Sequence, residues 1–399
     1  MSTHSQFDLV LLGAGLGNGL AAAAALHYCP SLRIAVVDGR SQLSYPQTWC
    51  FHDQDIRQGS DAWDWLRPLV SKSWDGYDVR FNGYDRHFES SYHCISGEHF
   101  GVALSSVLAV PNVSLFLNTQ AEPNGSGVTL ASGDHLEGAV VLDGRGAGSM
   151  TSGCGFQKFV GWEIEVDTEN SRPLPAGPVL MDATVEQHDG YRFVYLLPMG
   201  ADRLLVEDTY FSSNDVLDVP LLESRLRDYL RLKVWTLRHL VRTEKGVLPM
   251  PWTEQRSLPA ASEQNVFQVG YRGGWFQPAT GYSVPMAVAV AQSVGIAMKQ
   301  SLNQTRTPSE LVAEALAPLR KSFGERQGFY RLLNRLAFKG VSDADRHAVF
   351  SRFYKLPPSL VGRFYAGQST WWDRIRILGG RPPVPLSRFR FGRLREELS

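Results

Sequence analysis

A chain of 399 residues, 43% hydrophobic and 20% charged, has room for two or three domains and a large core. Its 40 basic and 40 acidic residues cancel, which leaves no net basic field to draw nucleic acid, and no run approaches the ~18 uninterrupted apolar residues of a membrane-spanning helix. Cys29, Cys50, Cys94 and Cys154 show neither CxxC nor paired spacing, so no zinc site or other metal centre and no disulfide framework is suggested, and a reducing cytoplasm fits best. The polar start, Met1 to Gln6, leaves no room for a signal peptide.

The run Phe7 to Leu12 reads as a buried parallel strand, and the turn Gly13-Ala14-Gly15-Leu16-Gly17-Asn18-Gly19 leads into a helix whose Ala21 to Leu26 stretch is a strong helix former. A second strand, Leu32 to Val37, ends at Asp38. This is a βαβ unit for a dinucleotide. Gly13 allows the tight turn, Gly15 lets backbone approach a pyrophosphate, and the helix N-terminus offers unpaired N–H groups to it. Ala14, Leu16 and Asn18 complete the cradle, and Asp38, about 20 residues after the glycines, suits a ribose hydroxyl. Asn18 stands where the usual pattern has Gly or Ala, so helix and strand are expected to pack differently there. The N-terminal position of the unit favours FAD over NAD.

Farther along, Ser44 to His52 is a turn followed by aromatics, either core or a wall beside the flavin ring. Val79 to Phe81 and Tyr92 to Ile95 read as strands outside the nucleotide sheet, Glu98 to Val110 as a helix, and Val113 to Leu117 and Ala139 to Leu142 as further nucleotide-domain strands. The latter closes on Asp143-Gly144-Arg145-Gly146, at the sheet end where ligands bind in open α/β folds, or an ordinary turn. Phe159 to Val166, Val179 to Thr184, Tyr191 to Leu197 and Arg203 to Phe211 alternate as an inserted antiparallel sheet, with a hairpin at Pro198 to Asp202.

Within that sheet Glu207 and Asp208 point to opposite faces, so either one faces a pocket or both lie near an edge in water, or cap or pair elsewhere. A carboxyl facing an apolar cavity can serve as an acid near neutral pH. The apolar positions Leu222, Leu226, Tyr229, Leu230, Val234 and Leu237 predict a helix covering the sheet, and Arg242 to Pro251 and Val266 to Gly270 read as strands. The loop Tyr271 to Ser283 then enters an Ala-rich helix, Met286 to Met298, where Gly281 and Tyr282 can present N–H donors to an anion or a flavin edge. From Pro308 the chain is helical, and from Ser351 it is basic, with ten Arg or Lys against Asp373, Glu396 and Glu397.

The segments Thr48 to His52, Met181 to Val185, Gly190 to Tyr195, Val206-Glu207-Asp208-Thr209, Pro278 to Pro285 and Arg363 to Gly367 resemble bacterial lycopene β-cyclases, over Phe7 to about Pro385. The resemblance implies an α/β fold of the glutathione-reductase and hydroxylase type: a discontinuous FAD-binding Rossmann domain (1–45, 96–155, 262–305), an inserted sheet for substrate (46–95, 156–261) and a helical, basic C-terminal region (306–399). Gly270-Tyr271 stands where related hydroxylases carry Gly-Asp, which argues against an ordinary monooxygenase.

The implied reaction is a non-redox cyclisation of the linear ψ ends of lycopene, through γ-carotene to β-carotene. Glu207 would be the acid and Asp208 would lie on the opposite face. FAD, active when reduced, would rest on Gly13, Ala14, Gly15, Leu16, Asn18, Asp38, Asp143, Gly281 and Tyr282, with NAD(P)H only keeping it reduced. The tail from Ser351, with Phe353, Tyr354, Trp371, Trp372, Phe389 and Phe391, is expected to touch a membrane surface peripherally. The alternatives are an FAD-dependent monooxygenase or oxidoreductase, a cyclase acting on another polyene, and a carotenoid-binding protein without catalysis.

Overall fold

Strand His4–Leu12 lies at the middle of the first sheet, with Leu9 to Leu12 fully buried. It pairs in parallel with Ile34–Val37 and His135–Asp143, and Val113–Phe116 extends the sheet beyond Ile34–Val37. On the far side of His135–Asp143, the short strand Val266–Gln268 pairs in parallel at one end and the hairpin Ala121–Asn124/Gly127–Leu130 continues antiparallel at the other. The computed structural model describes residues 4–146, 153–254 and 265–390, so parts of the expected FAD-domain segments, together with Phe391 and the last tail charges, lie outside the described residues.

Helix Leu16–Tyr28 covers one face of this sheet, its Ala21 to Ala25 run buried. Small residues let it lie close to helix Val284–Ser301: a Cβ on Gly295 would sit 2.7 Å from Tyr28 Cδ2 and 3.0 Å from the Ala24 carbonyl. Full burial of each Leu or Val here contributes about 1.5–3 kcal/mol, so the α/β layer is held mainly by apolar packing.

The second sheet is ordered Leu237–Pro251, Cys154–Val166, Arg203–Ser212, Tyr191–Pro198, Val179–Asp182, Tyr77–Phe81, Tyr84–Phe88, antiparallel except where Val179–Asp182 runs parallel to Tyr77–Phe81. The hairpin expected at Pro198 to Asp202 joins two of its central strands. Tyr92–Ser96 pairs with Thr48–His52 and Lys72–Trp74 in a separate three-stranded sheet.

Helix Val219–Lys233 buries Leu222, Leu226, Tyr229 and Leu230 on one face of the second sheet. It stops short of the predicted Leu237. Val234 turns left-handed (φ 59°) and caps the helix end, an uncommon conformation for a β-branched residue, while the Trp235 N–H returns to the Leu230 carbonyl at 2.9 Å. Leu237 therefore opens a strand.

The sheet's other face is roofed by helix Pro308–Arg335, a wide π-helical turn at Leu336–Gly340, and the short helices Arg346–Phe353, Pro358–Tyr365 and Trp371–Leu378. Phe350 stacks on Tyr191 at 4.3 Å, and the fully buried Arg346 donates to the Phe211 carbonyl at 2.6 Å. Tyr354, expected at a lipid surface, is instead fully buried and bonded to Tyr365, because the roof needs aromatic bulk beneath it.

Candidate active site

At the first sheet's carboxyl end the Gly13 turn (φ 81°) is closed by its N–H on the Val37 carbonyl, 2.7 Å away. Gly15 caps helix Leu16–Tyr28 with no side-chain bond, and a Cβ placed there would meet nothing within 4 Å. An uncapped helix N-terminus beside open space fits a pyrophosphate. Asn18 donates to the carbonyls of Leu12 (2.8 Å), Gly13 (2.6 Å) and Leu142 (3.1 Å), tying the ends of two parallel strands together. The close helix packing passes to Gly19, where a Cβ would sit 2.5 Å from the Phe100 ring.

Asp38 accepts from the Ala14 N–H at 2.6 Å and from the Arg40 guanidinium at 2.7 and 2.8 Å. Burial raises its carboxyl, but these bonds outweigh burial and hold it below the usual range. Asp143 accepts from Arg145 at 2.8 and 2.9 Å and pairs with Arg272 at 2.8 Å. Both predicted acids thus stand at the strand ends with their oxygens engaged by neighbouring arginines. Gly281 (φ 68°) and Tyr282 precede a second helix, Val284–Ser301, which also lacks a side-chain cap. The glycine turn, the two bare helix ends and the buried acids fit an extended dinucleotide.

Gly281 to Val284 also form part of the wall of a largely apolar cavity of about 550 Å³, which runs beneath the roof helices. Glu207 lines it. The residue is 8% exposed, and the Thr209 hydroxyl donates to its carboxyl at 2.6 Å. Burial first, and then the charge of Glu244, push the Glu207 carboxyl well above the usual range, which favours its protonated form. Around it stand Cys50 and Tyr195, whose hydroxyl donates to Cys50 Sγ at 3.2 Å, and beyond these Tyr92, Phe159 and Phe193.

Asp208 faces the other way, fully buried beneath helix Val219–Lys233 and bound by Arg192 at 2.8 and 3.2 Å and by the Tyr210 hydroxyl at 2.8 Å. The two acids lie on opposite faces as expected, and neither lies in water. His52 is buried among Tyr77, Tyr92 and Tyr365, rings about 5 Å away, and burial takes it down to about 3, leaving it neutral. Asp55, which accepts from the His52 N–H (2.8 Å) and the Tyr282 hydroxyl (3.0 Å), is pushed up to about 7 by burial.

Glu244, on strand Leu237–Pro251, was not singled out in the sequence. It is 4% exposed and lines the same cavity, accepting from Arg242 at 2.7 Å and from the Thr48 hydroxyl at 2.9 Å. Burial raises its carboxyl and Arg242 opposes the rise. A mid-strand acid in a segment read as a strand was the available signal, but its neighbour Glu207 is set by sheet pairing, not by sequence distance.

The described chain has the Rossmann-type fold of FAD-dependent monooxygenases and reductase-like proteins. It superposes on p-nitrophenol 4-monooxygenase from Pseudomonas putida DLL-E4 with a TM-score of 0.62 at 14% identity, covering 96% of this chain and 100% of the other. A geranylgeranyl bacteriochlorophyll reductase-like protein from Thermoplasma acidophilum matches with a TM-score of 0.61 at 13% identity, covering 99% of each. Within that class, the family model "Lycopene cyclase protein" matches residues 8–391, and the chain belongs to this family. It is 37% identical over 390 residues to the lycopene beta-cyclase of Pantoea ananas (96% of each chain) and 38% identical over 387 residues to that of Pseudescherichia vulneris (95% of each).

Proposed function

We propose that this protein is a lycopene β-cyclase, closing the linear ψ ends of the polyene into β-rings with no net redox change, by way of γ-carotene to β-carotene. The observation that carries this reading is a buried carboxyl, Glu207, raised by burial and without an ion pair among the described residues, in a largely apolar cavity shared with the Gly281–Val284 helix entrance. Glu207 donates its proton to the terminal double bond, the resulting tertiary cation is attacked by a neighbouring double bond, and the carboxylate takes back a ring proton. General acid catalysis of this kind is worth about 10²–10⁴-fold. The apolar walls keep out water that would quench the cation.

Gly13, Ala14, Gly15, Leu16, Asn18, Asp38, Asp143, Gly281 and Tyr282 would hold FAD. Bound in its reduced form, maintained by NAD(P)H, FAD would supply negative charge to stabilise a developing cation.

A C40 polyene dissolves in bilayers, and no helix among the described residues is long and apolar enough to cross one. Helix Trp371–Leu378 supports peripheral attachment at a cytoplasmic membrane face. Its Trp371 and Trp372, about 60% exposed and stacked at 4.0 Å, stand with exposed Ile375 and Leu378, and Ile377 and Leu378 line the cavity that holds Glu207. Replacing both tryptophans with Ser is expected to weaken binding to anionic liposomes, and unchanged binding would reject this attachment.

The decisive test is anaerobic incubation with lycopene, FAD and reductant, followed by product mass and absorbance. Cyclised product of unchanged mass is expected. A gain of oxygen, or turnover with oxidised flavin alone, would reject the cyclase reading in favour of a monooxygenase or oxidoreductase.

A further inference from the structure

Glu207 does not stand alone. Strand Cys154–Val166 runs between the strands of the two glutamates, and its Gly161 is the register partner of both Glu207 and Glu244. Directly opposed residues of an antiparallel pair project to the same face, so both carboxyls rise over a position that has no side chain. A Cβ on Gly161 would sit 3.0 Å from Glu244 Cγ and 3.4 Å from Glu207 Cβ and Cγ. The glycine is the gap in which the two side chains meet.

The charges around this gap do not divide evenly. Glu163, the next residue on the same face, binds Arg203 and accepts from Arg242 Nε at 2.5 Å. Arg242 also holds Glu244 at 2.7 Å and donates to the Thr48 hydroxyl at 2.7 Å, and Arg203 reaches the exposed Glu98 at 3.3 Å. Two guanidiniums therefore serve the buried acids Glu163 and Glu244. Glu207 accepts from the Thr209 hydroxyl with Cys50 and Tyr195 beside it, and among the described residues it forms no ion pair, although Lys245 and Arg352 also line the cavity. Two buried like charges in contact cannot both ionise cheaply, so the acid lacking a cation keeps the proton.

We infer that Glu244 is the positioning residue for the catalytic proton: an anion clamped by Arg242 and Thr48 and brought onto Glu207 over Gly161, so that the pair holds one proton, resident on Glu207. This deepens the reading of Glu207 as the acid and rests on it. During turnover the Glu207 O–H bond breaks as a C–H bond forms at the polyene terminus. When the ring C–H breaks, the proton returns to Glu207, because Arg242 and the Thr48 hydroxyl both donate to Oε2 of Glu244 and keep that carboxyl the stronger acid of the pair. No oxidant or reductant is consumed.

The test is infrared titration of the flavin-loaded protein without carotenoid, taking the protonated-carboxyl band that disappears in Glu207→Gln as the signal of Glu207. In Glu244→Gln that band is expected to titrate at least about one pH unit lower, a tenfold loss of proton affinity, and the alkaline limb of cyclase activity should move with it. Gly161→Ala should shift it the same way by less, and Glu244→Asp, which keeps the charge, should largely restore it. If Glu244→Gln does not fold, these last two variants carry the test.

An unmoved band in the charge-removing variant, or no protonated-carboxyl band in the parent protein at neutral pH, would overturn the proposal. A band that moves as expected in a protein that forms no cyclic carotenoid would uphold the pair and reject the cyclase assignment instead.

Discussion

On one side of strand Arg203–Ser212, Glu207 looks into an apolar chamber with a hydroxyl for company; on the other, Asp208 is wrapped by Arg192 and Tyr210 under a helix. The residues are adjacent, chemically alike and both buried. What separates them is a guanidinium: burial raises both carboxyls, and Arg192 is the largest influence drawing Asp208 back, whereas the nearest charge to Glu207 is another carboxylate. The paired acid secures the layer between sheet and helix. The one without an ion pair is the proton donor of the proposed mechanism. Environment, not residue type, divides structure from chemistry here.

That contrast breaks most sharply on paired substitutions. Glu207→Gln is expected to lower cyclase turnover by about 10³-fold, roughly 4 kcal/mol, while leaving the thermal midpoint near that of the parent, as measured by carotenoid product and calorimetry. Asp208→Asn should do the reverse. Stranding Arg192 as a buried, partly uncompensated charge is expected to cost about 3–5 kcal/mol of stability, with activity per folded molecule nearly kept.

A smaller effect follows from pH. The folded carboxyl of Glu207 titrates above its unfolded value, so its contribution to stability is complete below the ordinary carboxylate range and is lost as pH rises toward the raised value. Activity needs the protonated form and should fall over the same alkaline approach. Glu207→Gln has nothing to ionise, and its stability relative to the parent should therefore improve as pH increases, which urea titrations at two pH values would read. The smallest expected effect is at Thr209→Val. The Thr209 hydroxyl favours the ionised form of Glu207, so its removal should move the alkaline limb of activity upward by a fraction of a pH unit, the direction opposite to loss of Glu244.

Much of the nucleotide layer was legible because its information is local: strand, glycine turn, Ala-rich helix and terminal acid follow one another within Phe7 to Asp38. The opposite facing of Glu207 and Asp208 was legible for a similar reason, from the period of two in a strand, whereas the choice of Glu207 came from the family resemblance. Glu244 and Gly161 were not, because they reach Glu207 only through the pairing of three strands that are far apart in the chain. Asn18 was visible as an anomaly without an explanation until three backbone carbonyls were found around its amide. The helix end at Val234 was misplaced because apolar spacing continues past it, and only the left-handed backbone there reveals the break. Tyr354 was read as surface because a basic stretch surrounds it, while the roof helices fold it inward.

The meeting point at Gly161 makes reactivity depend on how three strands are aligned. A slip of one residue between Cys154–Val166 and Leu237–Pro251 would turn Glu244 to the opposite face and bring Thr243 or Lys245 to the glycine, while most backbone bonds could still form. Such a chain could retain its cofactor layer, which belongs to a different sheet, and yet be inert. Colour formation in a bacterial plate assay would then serve as a reporter of strand alignment that pigment-free measures of folding would miss.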